Sequence, residues 1–234
     1  FGTISTTAEE NNVFIVGLGA EIPDMTPDAG AIATTGEHRG FMKVRILTDG
    51  DNYTIQYAEL DATTFEEVTI AKDASKIQTA FSLTSGQTVD IEPAKEAWDI
   101  QVPSVYSYYG PFGGFAGAGL TYSDFVTHNS LGGVGVYQVL RYEVDGEGVR
   151  TDFNVPSYAD FTLADADDSA FIYDDRAVIG SDWRVSGFGG TPSVKDDRYY
   201  IIKDASGNLY KFRFTAVLSA SGERGYPQFI YEKL

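Results

Sequence analysis

The chain has 234 residues, and 34 acidic residues against 17 basic ones give it a formal net charge of −17. A protein this acidic is repelled by phosphate backbones, so we do not expect it to bind nucleic acid. It contains no cysteine, which excludes disulfides, thiolate nucleophiles and cysteine-ligated zinc or iron–sulfur centres. The hydrophobic content of 43% predicts a globular chain with a core large enough to need no cross-link.

The first 40 residues are predicted to form an irregular N-terminal lead-in, because Pro23, Pro27 and Gly30 interrupt any regular pattern. A short apolar strand is expected within it at 13–17. The chain begins at Phe1 rather than at Met, and we expect a removed upstream segment and an extracytoplasmic mature protein. A trimmed cytosolic chain would begin in the same way.

From residue 41 onward, alternation of apolar and polar residues dominates. Phe41–Thr48 and Tyr53–Tyr57 flank the turn-forming tetrad Asp49–Asn52, which predicts a hairpin. Helical signals are poor: residues 73–81 could hold a two-turn helix capped by Asp73, and residues 158–166 could hold a similar one. Further strands are expected at 64–71, 87–91, 98–102, 134–143 and 149–155.

The C-terminal segment predicts a three-stranded meander over 198–203, 210–215 and 227–232. In its middle strand the aromatic residues share one face, and Lys211, Arg213 and Thr215 lie on the other, predicted to be solvent-exposed. Residues 183–234 contain 8 basic and 5 acidic residues, so we expect a mildly basic surface on an otherwise acidic protein.

These elements together predict an all-β fold with little helix. Short antiparallel strands separated by glycine-containing turns are typical of a sandwich or an open barrel. There is no repeat of fixed period and no linker rich in proline and serine, so residues 41–234 are predicted to form a single domain.

Signals for catalysis are weak, and we predict that the chain is not an enzyme. It has only two histidines, His38 and His128, and no G-x-S-x-G nucleophile elbow. Among 34 acidic residues, pairs of carboxylates arise too easily to indicate a glycosidase. The glycine-rich run 110–119 is not followed by a helical pattern, which a phosphate-binding loop requires.

A candidate binding site lies between residues 103 and 130. It contains His128 and a set of aromatic residues around the glycine-rich run: Tyr106, Tyr108, Tyr109, Phe112 and Phe115. The tyrosines could pack within a sheet, form a stacking platform for sugars, or line a pocket for a flat apolar ligand. His128 could likewise be an ordinary core residue or a ligand.

The order of motifs along the chain resembles the HmuY family. The resemblance rests on Ala97–Ile100, the long glycine-rich loop, Arg198–Ile202, Leu209–Thr215 and Gly222–Tyr231. Members of this family are haem-binding proteins with an all-β fold, usually lipid-anchored at the surface of Gram-negative anaerobes or secreted. The motifs cover roughly the last 60% of the chain and describe scaffold rather than chemistry.

The resemblance implies a haemophore that holds haem between two axial side chains, each His or Met. The first ligand usually follows the Trp-Asp pair by a few residues, where this chain has Pro103, so ligation is expected to be altered. His128 is the counterpart of the second ligand and the candidate ligand of the haem iron. One of Tyr106, Tyr108 and Tyr109 could replace the first ligand, because a phenolate oxygen can hold ferric haem.

The resemblance also implies partners and a location. Haem propionates need cations, for which Arg141, Arg150 and Arg198 are candidates. The other expected partner is an outer-membrane receptor, with contact to the membrane only through a removed N-terminal lipid anchor. The protein is then expected at the outer-membrane surface or secreted. The alternative is a module on the same scaffold that binds a glycan or a peptide instead of haem.

Overall fold

The structure, a computed structural model, describes residues 2–22, 24, 36–102, 105–109, 118–122, 124–185 and 191–234, with only the backbone at 105–109 and 118–122. The described residues up to Ala94 form one compact unit, and those from Lys95 to Leu234 form another. No helix in these residues is long and apolar enough to cross a membrane.

The first unit contains a four-stranded antiparallel sheet in the order β1-β2-β3-β4 and a separate two-stranded hairpin, β5-β6. Its strands are β1 (Val13–Gly17), β2 (Phe41–Thr48), β3 (Asn52–Glu59), β4 (Glu66–Ala71), β5 (Ala80–Ser82) and β6 (Gln87–Val89). A 3-10 helix, Ala8–Glu10, precedes β1. The strand expected within the lead-in therefore belongs to a sheet, because β1 pairs with β2 from Val13 opposite Arg45 to Gly17 opposite Phe41.

The hairpin β2-β3 confirms the prediction from the Asp49–Asn52 tetrad. The carboxylate of Asp49 accepts hydrogen bonds from the backbone N–H of Asp51 at 2.9 Å and of Asn52 at 2.7 Å. These bonds lower the pKa of Asp49, the side-chain bond from Asn52 most strongly. Gly50 has a φ of +104°, a conformation that a residue with a Cβ adopts only with strain. Local turn chemistry is therefore sufficient to set this register.

The prediction of a two-turn helix over 73–81 is wrong. Asp73 does accept hydrogen bonds from the N–H and the hydroxyl of Ser75, but turns follow it and the chain enters β5 at Ala80. An Asp side chain bonded to a residue two positions later also forms a simple turn, so a cap signal alone does not establish a helix.

The second unit is built from short antiparallel pairs and one larger sheet. Its strands are β7 (Ile100–Gln101), β8 (Val105–Tyr109), β9 (Ala118–Tyr122), β10 (Thr127–His128), β11 (Gly135–Leu140), β12 (Tyr142–Val144), β13 (Arg150–Asp152), β14 (Arg184–Val185), β15 (Ser193–Val194), β16 (Arg198–Lys203), β17 (Leu209–Ala216) and β18 (Gln228–Lys233). Three 3-10 helices lie between them, Ser130–Gly132, Leu163–Asp165 and Asp168–Ala170. The larger sheet has the order β11-β16-β17-β18.

The core of the second unit covers both faces of this larger sheet. On one face Tyr200, Ile202 and Phe212 pack in a cluster that includes Trp183, whose ring stacks on Phe214 with centroids 3.9 Å apart. On the other face Tyr199 and Ile201 pack in a second cluster with Tyr137, Val139, Phe161 and Phe171. A strand buried on both faces loses strict alternation, which explains the continuous apolar run in β16.

The prediction that this face of the meander is solvent-exposed is wrong for Lys211. Arg213 and Thr215 are exposed, but Lys211 is only 3% exposed. The segment after Ser157 covers it, and its ammonium group donates hydrogen bonds to the carbonyls of Ala159 at 3.3 Å and Phe161 at 3.1 Å. It also lies 3.3 Å from the carboxylate of Glu232. A long-range contact of this kind has no signature in strand alternation.

The predicted all-β fold with antiparallel strands and little helix is confirmed. Every strand pair among the described residues is antiparallel, and none of their sheets closes into a barrel. The boundary at residue 40 and the single domain over 41–234 stay predictions.

Candidate functional site

His128 lies on the short strand β10, directly beside β7. The two strands are antiparallel, with His128 opposite Ile100 and Thr127 opposite Gln101. β7 begins immediately after Trp98 and Asp99, so the pairing places His128 next to the stretch in which the sequence predicted the first ligand. His128 and Ile100, 28 positions apart in the chain, are therefore brought together by backbone pairing of the two strands.

Asn129 holds this arrangement in place. Its backbone N–H donates to the carbonyl of Asp99 at 2.8 Å, and its side-chain amide donates to the carbonyl of Trp98 at 2.8 Å. Its side-chain oxygen accepts a bond from the N–H of Gly132 at 2.9 Å. A Cβ on Gly132 would lie 2.2 Å from the Asn129 amide nitrogen, so the turn requires glycine. These bonds anchor the Trp-Asp pair to the strand that carries the histidine.

The imidazole of His128 is buried, with only 1% of the residue exposed. Neither ring nitrogen has a hydrogen-bond partner of normal geometry in the described part of the chain. Burial lowers the pKa of His128, and the nearby backbone of Ile172 and the charge of Asp175 oppose this effect only partly. The ring is therefore neutral at pH 7 and carries an uncommitted nitrogen lone pair. Such a nitrogen is the donor that metal ions and haem iron take from histidine.

An aromatic groove adjoins β7. It has a volume of about 290 Å³ and is lined by residues of β7, β16, β17 and β18 together with Asp99: Ile100, Ile202, Tyr210, Phe212, Phe229 and Tyr231. Phe229 is 40% exposed and Tyr231 is 66% exposed, so the groove presents aromatic rings to solvent. Burial, and to a smaller extent the charge of Asp204, raises the pKa of Asp99 at its rim. Sequence reasoning missed this groove, because its residues come from strands more than 100 positions apart.

The remaining predicted site residues are either described by their backbone alone or lie outside the described residues. Tyr106, Tyr108 and Tyr109 are on β8, which pairs with β9 from Val105 opposite Tyr122 to Tyr109 opposite Ala118. Their side chains are not described. Phe112, Phe115 and Pro103 lie outside the described residues. The roles assigned to these residues stay predictions.

The three candidate partners for haem propionates do not line the aromatic groove. Arg141 and Arg198 border a different cleft of the second unit. Arg150 is at the surface, where it pairs with Asp152 at 2.6 Å and lies over the ring of Tyr142. Their assignment as propionate partners therefore has no support from the described geometry.

The acidic run Asp165–Asp168 makes turn contacts and one ion pair within the second unit. Asp165 bonds the N–H and hydroxyl of Thr162, Asp167 bonds Ser169, and Asp168 pairs with Lys203 at 2.9 Å. Among the described residues no three His, Cys, Asp or Glu side chains cluster as a metal site.

Comparison with known proteins places residues 40–231 within a match to the family described as "HmuY protein". No curated protein and no solved structure matches the chain.

Proposed function

The chain belongs to the HmuY family, and we propose on that basis that it binds haem, whose iron His128 would hold through an imidazole nitrogen. The observation that carries this assignment is the buried imidazole of His128, neutral and with no hydrogen bond of normal geometry to either ring nitrogen among the described residues. A buried polar atom normally finds a partner, and one that does not calls for an explanation. Ligation of a metal is an explanation that suits imidazole chemistry.

Bound haem would supply an iron that takes nitrogen and oxygen donors from the protein. His128 fits this role by donor type. Because the ring is 1% exposed, binding requires the side chains that cover it to move aside. The segment Ile172–Arg176 lies against this residue, since the carbonyl of Arg176 accepts the backbone N–H of His128 at 3.0 Å. We expect this segment to move away from His128 when haem binds.

As a second protein ligand of the iron we propose a tyrosine of β8. Proline has no donor atom in its side chain, so Pro103 does not take the role of the ligand that the family usually has there. Tyr106, Tyr108 and Tyr109 follow within six residues of Pro103, and a phenolate oxygen is a known axial ligand of haem iron.

Family membership also supports a proposal about location. We place the protein outside the cytoplasm, secreted or held at the outer-membrane surface by a lipid anchor upstream of this sequence. In that setting a haem carrier would deliver its cargo to an outer-membrane receptor. We further propose that the chain binds and does not catalyse, in keeping with a family of binding proteins.

A haemin titration of the full chain tests the ligand assignment. The wild-type protein is expected to give a saturable Soret band at one haem per chain. His128→Gln is expected to shift that band and weaken binding by about tenfold or more, the loss of one metal–ligand interaction. His38→Gln is the matched control, because His38 is exposed and its Nδ1 accepts a bond from the N–H of Gly40. An unchanged spectrum in His128→Gln contradicts the assignment.

A second variant separates loss of the ligand from loss of folding. His128→Gly leaves a cavity that added imidazole can refill, and circular dichroism shows beforehand that the variant is folded. Recovery of the wild-type spectrum with imidazole supports ligation through His128. A folded variant that binds haemin like the wild type without imidazole contradicts it.

The aromatic groove supports a second candidate, a glycan in place of haem. Exposed Tyr231 and Phe229 beside the carboxylate of Asp99 combine stacking surfaces with a hydrogen-bond acceptor, which suits a sugar ring. A glycan array tests it with Tyr231→Ala, and with Tyr226→Ala as control, because Tyr226 is 60% exposed but does not line the groove. Glycan binding lost only in Tyr231→Ala supports this candidate, and an array without any hit rejects it.

A further inference from the structure

A second cleft of about 460 Å³ lies at the end of the larger sheet where β16 begins and β17 ends. This volume is within the usual range of small-molecule sites, about 300–1,000 Å³. Its walls come from the start of β16, the end of β17, the segment Ser157–Ala159, the region of β15 and the residue between β11 and β12: Arg141, Ser157, Tyr158, Ala159, Val194, Lys195, Asp196, Arg198, Tyr199, Arg213, Phe214 and Thr215. None of these residues belongs to β7 or β10.

The cleft concentrates positive charge on a protein whose net charge is −17. Four of its lining side chains are cationic, and Asp196 is the single carboxylate among them. Three of the cations, Lys195, Arg198 and Arg213, come from the C-terminal segment that the sequence marks as basic. The basic character predicted for that segment is therefore focused in part on this cavity.

Two of the four cations are already neutralised. Arg198 binds both carboxylate oxygens of Asp197, at 2.7 and 2.8 Å, and also contacts Asp182. These carboxylates raise the pKa of Arg198, and the hydrogen bond that Arg198 donates to Asp197 has the largest effect. Lys195 pairs with Asp182 at 2.5 Å. Both side chains are already paired with carboxylates of the chain, so the case for a bound ligand does not depend on them.

Arg141 and Arg213, the other two cations of the cleft, are not neutralised in this way. Neither makes an ion pair with any carboxylate in the described part of the chain. The guanidinium of Arg213 rests over the ring of Tyr158 at 4.7 Å, which limits its freedom without neutralising its charge. A guanidinium presents several N–H donors in a plane, the geometry that matches the oxygens of a carboxylate or a phosphate.

We propose that this cleft is a binding site for a small organic anion, distinct from the site around His128, in which Arg141 and Arg213 hold a carboxylate or phosphate group. Tyr158 and Val194 supply apolar surface for the body of the ligand. The ammonium group of Lys211 also lies near the ring of Tyr158, 5.2 Å from the ring centroid. Tyr158 is therefore held by contacts with two cationic side chains, Lys211 and Arg213.

Isothermal titration of the full chain with three related sugars tests the proposal. Glucuronate carries a carboxylate, glucose 6-phosphate carries a phosphate, and glucose is the neutral control. At least one of the two anions is expected to bind about tenfold or more tightly than glucose, the value of one charge-assisted hydrogen-bond pair. The better anion identifies the group that the cleft prefers. Its affinity is expected to fall as salt is added, because the attraction is electrostatic.

Single-charge variants assign the site. Arg141→Gln and Arg213→Gln are each expected to weaken binding of the anion by about tenfold. Arg150→Gln is the matched control, since it removes the same charge from the surface outside the cleft, and His128→Gln separates this site from the proposed haem site. Both controls are expected to bind the anion like the wild type. Binding of neither anion, equal binding of glucose, or an equal loss in Arg150→Gln overturns the proposal.

Discussion

Arg224 and Asp124 are 100 positions apart in the chain, yet the guanidinium Nη2 of Arg224 lies 2.8 Å from Oδ2 of Asp124. The other carboxylate oxygen, Oδ1, lies 2.7 Å from Nη2 of Arg184. Asp124 is 1% exposed, and its backbone carbonyl accepts the indole N–H of Trp183 at 3.1 Å. The Gly222–Tyr231 motif is thereby tied to the residues that lead into β10. This bond gives the motif a structural role next to the strand that carries His128.

Asp124→Asn is expected to destabilise the second unit by about 3–5 kcal/mol, because it leaves two guanidinium groups beside a neutral amide in a buried site. Urea unfolding followed by tryptophan fluorescence measures the loss. The control is Asp152→Asn, which breaks an exposed pair with Arg150 and is expected to leave stability nearly unchanged. Equal unfolding free energies of the two variants would show that the buried group of Asp124, Arg184 and Arg224 does not stabilise the second unit.

Lys211→Met is expected to loosen the segment that covers it. The substitution keeps a long apolar chain but removes the donor to the carbonyls of Ala159 and Phe161, at about 1–3 kcal/mol for each buried group left unsatisfied. Hydrogen exchange is expected to become faster over residues 157–165. Lys233→Met, an exposed change in the next strand, serves as the control. Exchange that is unchanged in Lys211→Met contradicts the tethering role.

His128 is expected to make stability depend on pH in the protein without haem. Its pKa in the folded state is below the ordinary value of 6.5, so below about pH 6.5 the unfolded chain binds a proton that the folded chain does not. Stability is therefore lost as the pH falls from about 6.5 towards the lowered pKa, at up to about 1.4 kcal/mol per pH unit. Above pH 7 this contribution is fully present.

The measurement is the difference in unfolding free energy between wild type and His128→Gln across pH 7 to about 5. The difference removes the shared effect of the carboxylates. Wild type is expected to lose stability relative to the variant as the pH falls, whereas His38→Gln is expected to follow the wild type. Parallel curves for wild type and His128→Gln would refute the depressed pKa.

Burial of His128 also predicts a limit on the rate of haem binding. If the covering segment must open first, the observed rate in stopped-flow mixing is expected to reach a plateau as haemin is raised. Arg176→Ala removes a 3.4 Å contact from the guanidinium to the hydroxyl of Thr127 and is expected to raise that plateau. A rate that increases linearly to the highest haemin concentration, in wild type and variant alike, would contradict gating by this segment.

Much of the fold follows from local patterns. The Asp49–Asn52 turn and the alternation on either side of it are sufficient to predict the hairpin β2-β3, and the same holds for the three strands of the meander. The cap signal at Asp73 misleads because a short turn satisfies the same hydrogen bonds as a helix N-terminus. Lys211 misleads because alternation assigns a face but does not say what covers it.

The candidate site around His128 follows much less from local sequence patterns. His128 is identified by its rarity, as one of two histidines, and its pairing with Ile100 depends on a contact between distant segments. Asn129, which locks that pairing, carries no sequence signal beyond its place next to His128. The groove of Tyr210, Phe229 and Tyr231 and the cleft of Arg141 and Arg213 both require the register of several strands, which no local pattern contains.

The most direct test of the haem assignment is a magnetic measurement on His38→Gln, in which His128 is the single histidine of the chain. The variant is grown with ¹⁵N-labelled histidine, loaded with ferric haem and examined by pulsed electron paramagnetic resonance. A hyperfine coupling between the iron and a histidine ¹⁵N is the expected result, because the label can reach the iron only through His128. A haem complex with a saturated Soret band and no ¹⁵N coupling would contradict the account.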